Sequence, residues 1–474
     1  MKKFDLIVIG AGAGGLTVAA GAASLGATVA LIEKNPELGG DCLHYGCVPS
    51  KALITSAKKV YQARKTAEEF GLDVEGEASI EQAMNRVKEA IAEIQHHDSK
   101  DRFRKLGVEI YRGKGRFVDP HVVQIDEGEK IRGKRVVIST GSRPNIPPIE
   151  GLKEAGFITN ETIFDVKKPP KHLIVIGGGP IGLEMAQSFA RFGSEVTIIE
   201  AHDMIFGKED QDIQKRIFDQ LKNELSFLLN AKVKRVETKD GKKSVMVEVE
   251  GKEVEIEGDE ILLSAGRKPN TDQLNLEEIG VKSDRGVIKV NEYLQTSVSH
   301  IYAIGDTNGQ FPFTHAAGME GKMVVRNAVF GVKGKVNYDH VPWVTFTDPE
   351  VFHIGLTEEE AREKHSDVKV YSVSSKDVDR FVTDRDTTGF VKIITDKKGY
   401  ILGAHAVGEN AGDWMQEIVL AKTQNHKIGE ISNVIHPYPT HGSIVSQAAD
   451  QYWREKLFKG VIPKIAKKYI QWFR

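Results

Sequence analysis

A chain of 474 residues is longer than one hydrophobic core usually organises, and at about 150 residues per domain it predicts roughly three packed units. Its 40% hydrophobic and 28% charged residues exclude a disordered or low-complexity protein, and 65 basic against 67 acidic residues leave a formal charge of -2, without the basic field that nucleic acid requires. The only cysteines, Cys42 and Cys47, exclude a disulfide-stapled secreted fold and a four-cysteine zinc site, and no metal site is read from the sequence.

Leu6 to Ile32 carries no charge over 27 residues and follows Met1-Lys2-Lys3, which imitates a signal peptide or a membrane span. Six glycines inside the stretch argue against both. An internal repeat supplies a better account: DLIVIGAGAGGLTVAAGAASLGATVALIE recurs without a gap, at an offset of 167, as HLIVIGGGPIGLEMAQSFARFGSEVTIIE. The second copy carries Glu184, Arg191 and Glu195 where the first is uncharged, so the pattern belongs to a soluble unit. Each copy reads as a buried strand, a glycine turn, an amphipathic helix and a second strand, and the predicted fold class is α/β with two Rossmann-like units.

Each turn contains G-x-G-x-x-G: Gly10, Gly12 and Gly15, then Gly177, Gly179 and Gly182. Such glycines let the backbone approach a pyrophosphate at a helix N-terminus, where free N–H groups and the positive end of the helix dipole favour anions. Glu33 and Glu200 each lie 23 residues beyond the first glycine, near the spacing of a carboxylate that binds ribose hydroxyls. Two complete copies predict two bound dinucleotides.

Cys42 and Cys47 stand in GGDCLHYGCVPSK, residues 39–51. On a regular helix, residues five apart differ by about 140° and about 7.5 Å of rise, so a disulfide between them needs a backbone distortion that Gly46 can supply. Pro49 suits a first helical turn and places Cys47 at a helix N-terminus, where a thiolate is stabilised.

This segment resembles the redox-active disulfide region of the flavin-dependent pyridine nucleotide-disulfide oxidoreductases, which include dihydrolipoamide dehydrogenase, glutathione reductase and mercuric reductase. GKGRF at 113–117, STGSRP at 139–144, SAGRKPN at 264–270 and IYAIGD at 301–306 follow in family order. The resemblance implies that the first fingerprint binds FAD, with Glu33, Lys51, Gly115, Thr140, Gly141, Ser142 and Asp306. It assigns Gly177, Gly179, Gly182, Glu184, Glu200 and Gly266 to NAD(H), and Glu200 favours NAD(H) over NADP(H). Thr314, His315, Ala316 and Ala317 either continue the flavin wall or simply begin a helix. Cys47 is implied to be the thiolate nearest the flavin, Cys42 the thiol that exchanges with substrate, and Lys51 and Glu184 an ion pair beside them.

The same resemblance implies a discontinuous FAD domain of residues 1–146 and 271–338, an NAD domain of 147–270, and an α+β interface domain of 339–474 through which a homodimer forms. Proline clusters at Pro144, Pro147, Pro148, Pro169, Pro170 and Pro269 mark the boundaries. In the interface domain FVKIIT and YILGAHAVG read as strands, followed by a helix from about Asp413. The expected location is cytoplasmic.

One loop departs from the family. Thiol-disulfide members carry His-Pro-Thr followed by Glu as the proton shuttle; here Ile435-His436-Pro437-Tyr438-Pro439-Thr440-His441-Gly442-Ser443 stands. Matching on Pro439-Thr440 puts Tyr438 in the acid-base position, as in mercuric reductases, and this match is preferred; matching on His436-Pro437 restores an imidazole but displaces the threonine. The second cysteine pair of mercuric reductases is not in this sequence, and Asp41 replaces the usual threonine. The expected activity is a dihydrolipoamide-dehydrogenase-like disulfide oxidoreductase. The alternatives are a mercuric-reductase-like enzyme and an NADH-sensing flavoprotein that acts through a partner. From Lys456 to Arg474 six basic residues and no acid accompany Ile462, Ile465, Tyr469, Trp472 and Phe473 on one helical face, which suits an anionic membrane, an acidic partner or the protein's own dimer.

Overall fold

Leu6 to Ile9 and Val29 to Ile32 are uninterrupted apolar runs, the pattern of parallel strands covered on both faces. In the computed structural model, which describes residues 1–458 and 462–473, they form the centre of a sheet. Its order is Val108–Arg112, Val29–Glu33, Lys2–Ile9, Lys130–Ile138, Val122–Ile125, Gly115–Asp119. The first four are parallel and the last two antiparallel, and Ile301–Ala303 joins in parallel on Lys130–Ile138. Ile7 stands opposite both Ala30 and Val136, and all three are fully buried. Ile301 pairs with Val136, 165 positions earlier, so the unit closes only after the second repeat has been made.

Helix Ala13–Ser24 crosses helix Thr314–Phe330 at its glycines. A Cβ on Gly321 would lie 2.9 Å from the Gly14 carbonyl oxygen, and a larger residue there would force the helices apart. The uncharged stretch is thus a strand, a helix and a strand of a packed core, and among the described residues no helix is long and apolar enough to cross a membrane.

The second repeat builds the parallel order Glu195–Ile199, His172–Ile176, Glu260–Leu263, with Ile174 opposite Thr197 and Ile261. Its helix Pro180–Arg191 starts on proline, whose missing N–H costs nothing in a first turn. Of the charges that distinguish this copy, Glu184 and Arg191 are buried, with the Arg191 guanidinium 4.1 Å from the centre of the Tyr61 ring, and Glu195 is exposed. An antiparallel meander, Ala231–Lys239, Lys242–Val249 and Lys252–Gly258, follows.

Residues 1–201 with 230–338 make one compact unit, and residues 202–229 with 339–474 another. The second contains an antiparallel sheet in the order Pro342–Thr345, Glu350–Gly355, Ile401–Gly408, Phe390–Asp396, Val368–Ser374. Helices Gln416–Thr423 and Ser443–Phe458 pack on it around Phe352, Ile354, Ile393, Ala404 and Ala448, and helix Gln211–Leu221 lies against strand Ile401–Gly408. The helix expected from about Asp413 begins at Ala411, after Asn410 takes a left-handed conformation (φ 54°), and is interrupted at Met415. In the basic segment, helix Ile462–Trp472 has no buried residue. Lys459 and Arg474 lie outside the described residues.

Candidate active site

The two glycine turns have the same geometry. Gly10 (φ +102°) would place a Cβ 2.3 Å from the Ser139 carbonyl oxygen, and Gly15 would place one 2.0 Å from that of Gly10. Gly177 (φ +111°) and Gly182 repeat this against Ser264 at 2.7 Å and Gly177 at 2.2 Å. Each turn is held by a serine that the repeat alone does not reveal, because its offset is different. Ser139 Oγ donates to the carbonyls of Ile9 and Gly10 at 3.0 and 2.9 Å, and Ser264 Oγ to those of Ile176 and Gly177 at the same distances. Both follow a buried strand, VVIS and ILLS, which is the signal that could have found them.

On their other side the turns are open: nothing lies within 3.8 Å of a Cβ built on Gly12, and nothing within 4 Å at Gly179. Helices Ala13–Ser24 and Pro180–Arg191 have neither a side-chain cap nor an acid in the first turn, so their leading N–H groups are available to an anion. Glu33 accepts from the N–H groups of Ala11 and Asn35, both at 2.8 Å, and Glu200 accepts from Gly178 N at 2.7 Å. These residues fit two dinucleotides.

Gly115 begins a strand where a Cβ would crowd Ile9, Ile32 and Val123 at 3.2 to 3.3 Å. Thr140 Oγ1 donates to Asn270 O at 2.7 Å, which ties the STGSRP loop, with Gly141 at φ +67°, to the SAGRKPN loop, with Gly266 at φ +87°. Ser142 donates to the Asp306 carboxylate, and Arg267 Nε donates to Ser142 Oγ at 2.7 Å. Arg267 also reaches Asp41 at 3.2 Å, so the residue that departs from the family pattern has a local partner. Burial still raises the Asp41 carboxyl above its ordinary range, with Arg267 opposing.

Cys42 lies in the short helix Gly40–His44, and Cys47 is the first residue of helix Cys47–Phe70, whose N-cap is Gly46. The two thiols hydrogen-bond one another, and Cys47 Sγ is 3.2 Å from Thr314 Oγ1. They are not equivalent. The Cys42 hydrogen bond, aided by Thr314 and the Lys51 charge, brings the Cys47 thiol down to about 6, while the same pairing and burial push Cys42 far up. Lys51, one helical turn beyond Cys47, places Nζ 3.0 and 3.2 Å from the carboxylate oxygens of buried Glu184. Thr314, His315, Ala316 and Ala317 form the first turn of helix Thr314–Phe330, which is how Thr314 reaches Cys47.

Glu320 has no sequence signal and is fully buried in the same helix. Its carboxyl group accepts from Gly305 N at 2.5 Å, from Asn308 Nδ2 at 3.0 Å and from the Tyr338 hydroxyl, and so holds the turn that presents Asp306. Burial raises this carboxyl above its usual range.

In the second unit, exposed Tyr438 donates its hydroxyl to Asp379 Oδ2 at 2.8 Å, and that carboxylate raises the phenol. His436 Nε2 lies 2.9 Å from Glu417 Oε2. His441 Nε2, two residues beyond Pro439, lies 2.9 Å from Asp384 Oδ2. Each ring of this loop therefore has its own carboxylate.

Two glycine-turn dinucleotide folds with a close cysteine pair define a nucleotide-dependent thiol redox enzyme. The chain belongs to the pyridine nucleotide-disulphide oxidoreductase family: residues 4–321 match it, and residues 341–449 match its dimerisation domain. It is an FAD-dependent pyridine nucleotide-disulfide oxidoreductase. It is 35% identical over 451 residues to a mercuric reductase of Lysinibacillus sphaericus, covering 94% of this chain and 82% of the relative. With a dihydrolipoyl dehydrogenase of Staphylococcus aureus the identity is 36% over 454 residues, covering 94% and 96%. The Cu(II) complex of the HOCl-induced flavoprotein disulfide reductase RclA from Escherichia coli superposes with a TM-score of 0.85 at 27% identity, over 95% of this chain and 100% of that one.

Proposed function

We propose that the protein is a homodimeric, NAD(H)-dependent oxidoreductase of the cell interior that passes electrons through Cys42 and Cys47 between the nicotinamide and a dithiol/disulfide couple, a dihydrolipoamide-dehydrogenase-like activity. The observation that carries this reading is the placement of the cysteines: Cys47 opens its helix with Sγ 3.2 Å from Thr314 Oγ1 and the Lys51–Glu184 pair one turn on, and Cys42 sits in the short helix just before it. Gly10, Gly12, Gly15, Glu33, Gly115, Thr140, Gly141, Ser142 and Asp306 would hold FAD, and Gly177, Gly179, Gly182, Glu200 and Gly266 the NADH. When bound, FAD would supply hydride chemistry toward the nicotinamide and electron-pair chemistry toward the Cys42–Cys47 disulfide.

With both thiols reduced, Cys42 loses its proton to a base and attacks one sulfur of the acceptor disulfide. The first acceptor thiolate leaves and takes that proton. The Cys47 thiolate then attacks Cys42 in the mixed disulfide, releasing the second acceptor thiolate, which is protonated by water, and restoring the Cys42–Cys47 bond. Because Cys42 is strongly protonated, the step depends on its base, which we assign to the Tyr438 and His436 loop of a second subunit. Lys51 and Glu184 position the helix turn behind Cys47. Glu200, with no Lys or Arg before Lys208, favours a ribose diol over a 2′-phosphate, and a higher kcat/KM with NADPH would refute that preference.

A mercuric-reductase-like reading is favoured by one observation: the exposed residue beside Pro439 is a phenol bonded to Asp379, a poor proton shuttle but a usable oxygen ligand for a soft metal ion. Steady-state turnover of the NADH-reduced protein with lipoamide, glutathione disulfide, coenzyme A disulfide and mercuric ion separates the readings. Reoxidation by lipoamide or another disulfide supports the first and by mercuric ion alone the second; reduction by NADH with no reoxidation by any of them would overturn both and leave the NADH sensor. We also infer that helix Ile462–Trp472 docks on an anionic membrane surface, since its exposed lysines accompany exposed Ile465, Tyr469 and Trp472.

A further inference from the structure

Glu209, immediately before helix Gln211–Leu221, meets two histidines of the antiparallel sheet. His353 and His405 are direct cross-strand partners on Glu350–Gly355 and Ile401–Gly408, with their rings edge to face at 4.4 Å. All three side chains are buried, and none has a part in the disulfide chemistry.

Hydrogen-bond accounting at this cluster leaves a gap. His353 Nε2 lies 2.9 Å from Gly355 O, and His405 Nε2 lies 2.9 Å from Leu356 O. A carbonyl oxygen only accepts, so both rings carry hydrogen on Nε2. His353 Nδ1 is 2.8 Å from Glu209 Oε2, whereas His405 Nδ1 is fully buried without a hydrogen-bond partner. Glu209 Oε1 is held by Trp343 Nε1 at 2.6 Å, and the Trp343 ring stacks on His353 at 3.5 Å. One ligand atom from each of Glu209, His353 and His405 falls within 4.8 Å of the others.

We propose that Glu209, His353 and His405 bind a borderline divalent cation, zinc foremost, in a structural site separate from the cysteine pair. Two imidazole nitrogens and one carboxylate oxygen are the donors zinc takes; magnesium and calcium prefer oxygen alone, and softer ions prefer thiolate. Backbone carbonyls on the far nitrogen of each ring are the outer support that metal-bound histidines have. Zinc bonds of about 2.0 to 2.2 Å require the ligand atoms to draw in from their present spread. Glu209 also lines a cleft of about 580 Å³ whose wall carries Asp212, Glu358, Glu359 and Glu363 together with Arg362 and Lys392. The cation would pin the segment before Gln211–Leu221 to two neighbouring strands.

The test uses the full-length, FAD-loaded Cys42→Ser/Cys47→Ser protein, in which the thiols cannot take the metal. After chelation it is dialysed against zinc chloride, and bound zinc and the thermal midpoint are measured. The expected result is one zinc per chain and a raised midpoint that EDTA reverses. His405→Gln and Glu209→Gln should each weaken binding by more than about 100-fold, since loss of an outer supporting group alone costs 10- to 100-fold. Absence of zinc and of any midpoint shift in the parent would overturn the proposal and leave only a proton between His353 and Glu209. Zinc binding that survives both substitutions would overturn it equally. Neither result bears on the disulfide chemistry.

Discussion

At Cys47 the Cys42 hydrogen bond, the Thr314 hydroxyl and the Lys51 charge all favour the thiolate, while burial and Asp41 oppose it. At Cys42 only the Thr314 hydroxyl favours the thiolate, against Cys47, burial and Asp41, so in the proposed reaction its deprotonation is the demanding event. Tyr438 is poorly suited: a phenol titrates near 10 in water, and Asp379 raises it further. If Tyr438 holds the acid-base position, Tyr438→His should raise lipoamide turnover about tenfold or more, within the range of general-base catalysis, and His436→Ala should change it little. Steady-state assay of both variants checks this. Fast lipoamide turnover in the unaltered protein that is lost in His436→Ala would assign the role to the His436–Glu417 pair instead.

The elements that present the site divide into those legible in the sequence and those that only the fold assembles. Both glycine turns and their acids are readable because a repeat at constant offset places them, and the cysteine helix because Gly46 and Pro49 bracket its start. Ser139 and Ser264 escape that reading, since each sits after a strand outside the repeat. Glu320 escapes it because its partners, Gly305, Asn308 and Tyr338, are gathered by a helix reversal rather than by spacing. The zinc candidate escapes it because the register that sets His353 opposite His405 cannot be read from residues 52 positions apart. Glu320→Ala should leave a buried N–H, amide and hydroxyl unpaired, costing about 3 kcal/mol and weakening FAD retention. Glu320→Gln should be milder, because burial already favours the uncharged carboxyl and the amide oxygen still accepts from Gly305. Thermal unfolding and flavin release on gel filtration measure both.

For the whole molecule, the flavin machinery and the acceptor chemistry have unequal support. Residues 4–321 and 341–449 match one enzyme family, yet the relatives at about 35% identity include both mercuric reductases and dihydrolipoyl dehydrogenases. The basic C-terminal helix lies beyond both matched ranges. Flotation with anionic liposomes should carry the intact protein and not a variant lacking residues 461–474, with the difference shrinking at high salt. Flotation unaffected by the deletion would eliminate the membrane role.

The central claim, that Cys47 is the thiolate against the flavin and Cys42 the exchanging thiol, is tested most directly by absorbance of the FAD-loaded Cys42→Ser and Cys47→Ser proteins at long wavelength. Cys42→Ser should show a thiolate-to-flavin charge-transfer band without reductant, and Cys47→Ser should show none even after two-electron reduction. In the reduced unaltered protein the band should fade as pH falls through about 6, because the depressed thiol is ionised only above that value. A band in Cys47→Ser and none in Cys42→Ser would contradict the assignment.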